Sequence, residues 1–327
     1  LIIGDFTAQI GDASDKQAIR QILSEKEVKE NMKDYIKQIG KILDMNKVEL
    51  HYNSEWLNKL SARDLLNLEM KFTAQQMIHR RNFKERWEQG KAIGIHELNY
   101  PILQGYDSVM VKADIETGGS DQLFNLKTGR EIQQIFSQKP QDIITTKMLD
   151  GLDGRKMSTS WGNVINITDE PNQMYGKIMS MRDELISEYF ELATQLPSIE
   201  IEKIKKELKS KKLNPRDAKA KLAKEIVALY HGKPAAQKAE KEFNRIFKKK
   251  ELPSEIPSIK IAAKNINILD LLVKTKLASS KAEAKRLIEQ KGVKINNEIQ
   301  EDWRKNIPIK NGMIIQVGKR KFAKINQ

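Results

Sequence analysis

The first residues, LIIGDFTAQIGD, pass from an apolar run into a turn containing Gly and Asp, the pattern of a buried parallel strand ending at a ligand crevice. Ser24 and Glu27 stand as an S-x-x-E capping box, and Val28, Met32, Tyr35, Ile36 and Ile39 then recur at helical spacing. KVELH, residues 47–51, predicts a short strand. Residues 61–88 predict helix, and a further helix is expected from about Pro101 to Tyr106. SVMVKADI, residues 108–115, and DIITTK, residues 142–147, predict two more strands. Strands alternating with helices over residues 1–180 argue for a doubly wound α/β domain.

From about 183 to 249 the pattern is almost wholly helical, interrupted at Pro215 and Gly232, so residues 181–250 are expected to form an α-helical domain. LPSEIPS, residues 252–258, has two prolines and no helical period, and 251–265 is read as a linker. The last segment, about 266–327, predicts a compact α+β module. Ser280 and Glu283 cap a helix, Gly292 ends it, VKIN opens a strand that turns at Asn296-Asn297, and MIIQVGKRKFAKI closes the chain's last strands.

Composition narrows the function classes. The 327 residues contain no cysteine, which excludes disulfides, zinc–thiolate sites and thiol nucleophiles. No window approaches the roughly 18 apolar residues of a membrane-spanning helix, no secretion signal is seen, and a cytoplasmic location without membrane association is expected. The net charge of +14 is unevenly placed: −1 over residues 1–180, +7 over 181–250, zero over 251–265 and +8 over 266–327. A near-neutral half joined to a basic half suits a small-molecule site attached to a polyanion-binding surface. Over 181–250 the same charge also fits an ordinary solvated helix face.

Four clusters carry candidate chemistry. TAQIGD places Thr7 and Asp12 at the end of the first strand, where open α/β sheets bind ligands. In YPILQGYDS, separations of four and three residues put Tyr100, Gln104 and Asp107 on one helix face, although a surface helix with scattered polar groups has the same spacing. In GGSDQ, Gly118 and Gly119 allow close backbone approach before Asp121 and Gln122, or make an ordinary loop turn. DGRKMSTSWGN, residues 153–163, offers Arg155 and Lys156, the hydroxyls of Ser158, Thr159 and Ser160, and flanking glycines. By composition it is a polar surface loop; by charge it suits a phosphate stabilised while it leaves.

Taken in this order, the clusters resemble one family across essentially the whole chain. KMSTS resembles the KMSKS loop of class I aminoacyl-tRNA synthetases. TAQIGD, HELNYPILQGYDS and GGSDQLFN resemble the corresponding stretches of bacterial tyrosyl-tRNA synthetases, and LASSKAEAKRLIEQKGVKINN is similar to their S4-type RNA-binding domain. The resemblance implies a Rossmann-like doubly wound parallel sheet, incomplete at its N-terminus, with a helical insertion at about 55–100 that joins a homodimer. Thr7, Asp12, Tyr100 and Gln104 would hold the tyrosine ammonium, Asp107 would accept from its phenol, and Gln122 would lie by its carboxylate. Gly119 and Asp121 would meet the ribose of ATP, while Lys156, with Ser158 and Thr159, would stabilise the pyrophosphate. ATP and Mg2+ are the implied reactants alongside L-tyrosine and tRNA(Tyr), with no metal site of the protein's own. Lys281, Lys285, Arg286 and Lys291 are the expected RNA-binding cations.

Two departures matter. The family's H-x-G-H motif is absent, since His51, His79, His96 and His231 do not form it. The chain is therefore expected to continue a longer protein on its N-terminal side and to form little adenylate alone. Thr159 stands where the commoner motif has a second lysine, which Arg155 would have to replace. Tryptophanyl-tRNA synthetase, or a non-catalytic RNA-binding protein with a synthetase fold, are the competing readings.

Overall fold

The computed structural model describes residues 1–10, 25–79, 81–158, 161–248, 252–253, 256–318 and 321–326. It divides into two compact units, Leu1–Thr168 and Asp169–Gln327. In the first, β1 (Ile2–Ile3) is followed by helix α1 (Glu25–Ile39), whose expected cap at Ser24 lies outside the described residues. Strand β2 (His51–Tyr52) runs parallel to β1, with Ile2 opposite His51 and Ile3 opposite Tyr52. It is shorter than KVELH suggests.

The stretch 61–88 is helical as expected, built of three successive helices. After a single turn, α2 (Ser54–Leu57), come α3 (Ala62–Glu69), α4 (Ala74–Ile78) and α5 (Arg81–Glu88). Ser61 with Asp64 and Thr73 with Gln76 form capping boxes that start α3 and α4 afresh.

Helix α6 spans Ile95–Met110, well beyond the segment predicted from Pro101 to Tyr106. The Glu97 side chain accepts the Gly94 amide at 2.9 Å to start the helix six residues before the proline, and Arg86 forks onto the same carboxylate. Residues 108–110, expected to open a strand, are the last turn of α6. Their apolar positions continue the helical spacing of the buried Ile102 and Leu103 through Val109. Lys112 then takes a left-handed backbone (φ 50°) and stops the helix.

Strand β3 begins only at Ile115 and runs to Gly119, α7 follows over Leu123–Ile135, and β4 (Asp142–Thr146) lies where DIITTK placed it. Strands β3 and β4 are parallel, in register from Ile115 opposite Asp142 to Gly119 opposite Thr146. Among the described residues the parallel sheet thus consists of two separate two-stranded pairs. Helices α6 and α7 touch backbone to backbone: a Cβ on Gly105 would stand 3.1 Å from the Gly129 amide nitrogen and 2.8 Å from Ile132 Cδ1. That contact lets α6 lie close over the middle of α7.

The second unit opens with five helices, α8 (Pro171–Met179), α9 (Ile186–Ala193), α10 (Ser198–Lys209), α11 (Pro215–His231) and α12 (Lys233–Phe247). Pro215 is the first residue of α11, where its missing N–H costs nothing, and Gly232 ends it at φ 85°. Their apolar faces bury Met174, Tyr175, Ile186, Phe190, Leu222 and Val227.

The C-terminal part holds β5 (Ser258–Lys260), β6 (Asn265–Asn267), α13 (Ile268–Lys274), α14 (Lys281–Glu289), β7 (Val293–Ile295), β8 (Glu298–Ile299), β9 (Asn306–Pro308), β10 (Ile314–Val317) and β11 (Lys321–Asn326). Its five-stranded sheet has the order β5–β11–β10–β7–β8, and β6 pairs with β9. Residues 258–260, read from sequence as linker, instead add a parallel edge strand to β11. Ser280 caps α14 by accepting the Glu283 amide. Asn296 and Asn297 both take positive φ in the tight turn from β7 to β8.

Candidate functional site

The candidate residues of the first unit gather around two buried polar clusters. The first centres on Asp107, on the inner face of α6 and only 6% exposed. Trp56 Nε1 donates to its Oδ1 at 2.7 Å and Asn53 Nδ2 to its Oδ2 at 3.2 Å. The same Asn53 nitrogen reaches Thr7 Oγ1 at 3.1 Å, and Asn53 Oδ1 accepts the Phe6 amide at 3.0 Å. A fully buried asparagine therefore ties the end of β1 to α6, and joins the predicted Thr7 to the predicted Asp107.

Burial pushes the Asp107 carboxyl up to about 7; the donors Trp56 and Asn53 pull it down, and the carboxylates of Glu116 and Asp5 raise it. A carboxylate has about four lone-pair sites. Two are taken, so the group retains capacity for a further donor.

The second cluster lies one turn back along α6. Asn125 Nδ2, on α7, donates at 2.9 Å to Gln104 Oε1 and at 2.9 Å to Gln122 Oε1. Gln104 Nε2 donates to Glu116 Oε1 on β3 at 3.4 Å; Ser108 Oγ donates to Glu116 Oε2 at 2.8 Å, and Gln141 also bonds that oxygen. The structure thus brings Gln104 and Gln122 together through a residue to which sequence assigned no role. Tyr100, half-buried, lies one helical turn before Gln104 on α6.

Gly119 and the exposed Asp121 sit at the C-terminal end of β3 and in the turn after it. Because Gly119 pairs with Thr146, the chain leaving β4 emerges beside them, at the carboxyl ends of two parallel strands. That chain is the 150–163 loop. Asp150 and Lys156 pair across its neck, and Gly151 N donates to Arg155 O at 2.7 Å.

Inside the loop Asn163 clamps the turn, donating to Asp153 Oδ1 (2.8 Å) and Lys156 O (3.1 Å) and accepting from Ser158 N (2.8 Å). Arg155 forks onto Asp153 at 2.5 and 2.8 Å and lies 4.5 Å over the Trp161 ring. The arginine and Asn163 hold the Asp153 carboxyl well below the ordinary range. Arg155 thus pairs within the loop itself, while Lys156 and Ser158 are held through their backbones, Lys156 by Asp150 and Asn163 and Ser158 by Asn163. Asp12 and Thr159 lie outside the described residues.

In the C-terminal part, Lys281, Lys285, Arg286 and Lys291 are all exposed on α14 and just after it. Three have acidic neighbours: Lys281–Asp270 at 2.7 Å, Lys285–Glu289 at 3.8 Å and Lys291–Glu301 at 2.8 Å. Lys285 also lies 4.4 Å over Trp303, whose ring Arg304 approaches at 4.7 Å. Exposed, solvent-screened pairs of this kind are weak, and a phosphate can outbid them.

Two family models match the chain. Residues 1–248 fit class I tRNA synthetases of the tryptophan and tyrosine type, and residues 248–325 fit the C-terminal domain of the tyrosine–tRNA ligase type. A tyrosine–tRNA ligase of Thermotoga maritima is 46% identical over 327 residues, covering 100% of this chain and 81% of that protein. The chain belongs to the tyrosine–tRNA ligase family. The tyrosine–tRNA ligase of Carboxydothermus hydrogenoformans agrees, at 47% identity over 332 residues, 99% of this chain and 81% of that one.

Among solved structures, a tyrosyl-tRNA synthetase of Archaeoglobus fulgidus complexed with L-tyrosine shares the fold at a TM-score of 0.55 and 23% identity, over 73% of this chain and 78% of that one. Members of the tyrosine–tRNA ligase family are aminoacyl-tRNA synthetases with ATP as substrate. The tryptophan alternative gives way because the C-terminal model and both relatives are tyrosine-specific by name.

Proposed function

We infer that this chain binds L-tyrosine with its phenol on Asp107 and its amino-acid end among Thr7, Asp12, Tyr100, Gln104 and Gln122. The observation that carries the reading is the buried Asp107 carboxylate, oriented by Trp56 and Asn53 and able to accept one more donor. A phenol supplies that donor and a phenyl ring does not, so phenylalanine leaves a buried acceptor unpaired. Rejection of phenylalanine is a known property of this enzyme family, not a magnitude obtained from the geometry.

Gly119 and Asp121 take the ATP ribose at the end of β3, and Lys156, with Ser158 and Thr159, takes the β- and γ-phosphates. A tyrosine carboxylate oxygen attacks the α-phosphorus, the new O–P bond forms as the bridging P–O bond to pyrophosphate breaks, and Lys156 stabilises the departing charge. The 3′-terminal ribose hydroxyl of tRNA then attacks the acyl carbon and AMP leaves. Mg2+ would enter with ATP and help neutralise the charge of its phosphates.

Lys281, Lys285, Arg286 and Lys291 offer a phosphate-binding face for tRNA(Tyr). A homodimer is supported by a cleft of about 540 Å3 lined by Trp56, Leu60, Leu68, Tyr106, Met110 and Phe136 together with Glu55, Lys59, Asp64 and Lys71, and by Leu66 and Met70, exposed in and at the end of α3. The protein works in the cytoplasm, where its tRNA is.

A thermal-shift comparison tests the substrate reading. L-tyrosine raises the melting temperature in proportion to the logarithm of its concentration and L-tryptophan does not. A shift by tryptophan alone would sink it.

A further inference from the structure

We propose that Asn125 is a positioning residue that fixes which end of the Gln122 amide faces the substrate. The proposal rests on the reading that Gln122 lies by the tyrosine carboxylate.

The argument follows the direction of the hydrogen bonds. A carboxylate only accepts, whereas an amide has one accepting and one donating end. Glu116 already accepts from Ser108 and from Gln141, and on its other oxygen from Gln104 Nε2. With its nitrogen held by Glu116, Gln104 must turn its oxygen toward Asn125. Asn125 must then donate, and it uses both N–H groups of one nitrogen, one on Gln104 Oε1 and one on Gln122 Oε1. The oxygen of Gln122 is thereby held on α7's side, and its donor end is turned away from Asn125.

The polarity of the whole chain, Glu116 to Gln104 to Asn125 to Gln122, is set at its carboxylate end. Reversing Gln104 or Asn125 would set two acceptors face to face, and reversing Gln122 would set its nitrogen against that of Asn125, two donors face to face, each at the cost of an unsatisfied pair beside the buried Asn125. Asn125 is 1% exposed, and its own Oδ1 has no partner among the described residues. No bond of that oxygen therefore favours the orientation; the two glutamines do. A donor at Gln122 suits a tyrosine carboxylate, and an acceptor there would repel it.

The test compares L-tyrosine with tyrosinol, in which a hydroxymethyl group replaces the carboxylate. A hydroxyl both donates and accepts, so tyrosinol is indifferent to the polarity of Gln122. Calorimetric titration of the full chain and its Asn125→Asp variant is expected to show tyrosine affinity down about tenfold or more, the size of a lost hydrogen bond to a charged group, with tyrosinol changed by less than about twofold. Equal losses for both ligands would overturn the proposal.

The added charge of Asn125→Asp could itself repel the carboxylate, and Gln122→Ala controls for this. If Asn125 acts through Gln122, Asn125→Asp no longer alters the tyrosine-to-tyrosinol ratio in the Gln122→Ala background. An unchanged effect there overturns it. A Gln122→Ala variant that leaves the ratio at the wild-type value would instead defeat the underlying placement of Gln122. Should Asn125→Asp fail to melt cooperatively, Asn125→Ser, whose hydroxyl donates to one glutamine only, is expected to give a smaller loss of the same selectivity.

Discussion

The indole nitrogen of Trp56 lies 2.7 Å from Oδ1 of Asp107, joining a single turn of helix after β2 to the inner face of α6. The bond stabilises the ionised form of a carboxyl that burial otherwise pushes up to about 7. Trp56→Phe keeps the ring and removes the donor. The Asp107 carboxyl then titrates higher, and tyrosine affinity at pH 7 falls about tenfold, less so at pH 8.5, where the carboxylate forms regardless. Calorimetric titrations at the two pH values measure both effects.

Stability carries the same signature. An unfolded Asp107 ionises near its ordinary value of 3.8, the folded one near 7. Between these the unfolded chain has released a proton that the folded chain keeps. The contribution is fully present below the lower value and is lost as pH rises toward the upper, on the order of 4 kcal/mol in all. The difference in urea stability between wild type and Asp107→Asn should therefore move against the wild type as pH rises from about 4.5 to 7.5. No change in that difference would mean that Asp107 ionises normally.

Much of this was legible in the sequence, and what was not has identifiable causes. Helical spacing placed Gln104 and Asp107 on one face because both lie in an uninterrupted helix, even though the Pro101 signal shortened its predicted extent. The strand expected at 108–115 was a misjudged period: SVMV contains β-branched residues, but Val109 packs with Ile102 at helical spacing.

Asn53, Trp56, Glu116 and Asn125 carried no local signal. Asn53 and Trp56 act through contacts 46 to 54 and 51 residues away, which no short window contains; Glu116 gathers donors 8 to 25 residues away, and Asn125 joins its near neighbour Gln122 to Gln104, 21 residues back. The 258–260 strand was hidden by flanking prolines, because its pairing partner is β11 at the far end of the chain.

The loop's one sequence oddity now has a specific consequence. Arg155 forks onto Asp153 and stacks on Trp161, contacts it would have to give up to serve in place of the second lysine of the commoner motif. Thr159→Lys is expected to accelerate adenylate formation in single-turnover assays of the active enzyme, whereas Lys156→Ala slows it by about a hundredfold or more. A slowdown by Arg155→Ala as large as that of Lys156→Ala would contradict this division of labour.

Close packing of α6 on α7 positions the cluster of Gln104, Asn125 and Gln122. Gly105→Val would drive a side chain against the Gly129 backbone, and should destabilise the protein by about 1–3 kcal/mol in denaturant unfolding. Tyrosine affinity should fall with it, since Gln104 and Asn125 sit on the two displaced helices.

For the basic C-terminal part, tRNA affinity should fall steeply with salt. Replacing Arg286 or Lys281 by Ala lowers the slope of log affinity against log salt by up to about 0.9 for each phosphate contact removed. Filter binding over a salt series reads that slope.

The phenol-accepting role of Asp107 is measured most directly by titrating wild type and Asp107→Ala with L-tyrosine and L-phenylalanine. Wild type should bind tyrosine and exclude phenylalanine, and the variant should lose most of that preference while melting cooperatively. A variant that still prefers tyrosine as strongly as the wild type would contradict the account.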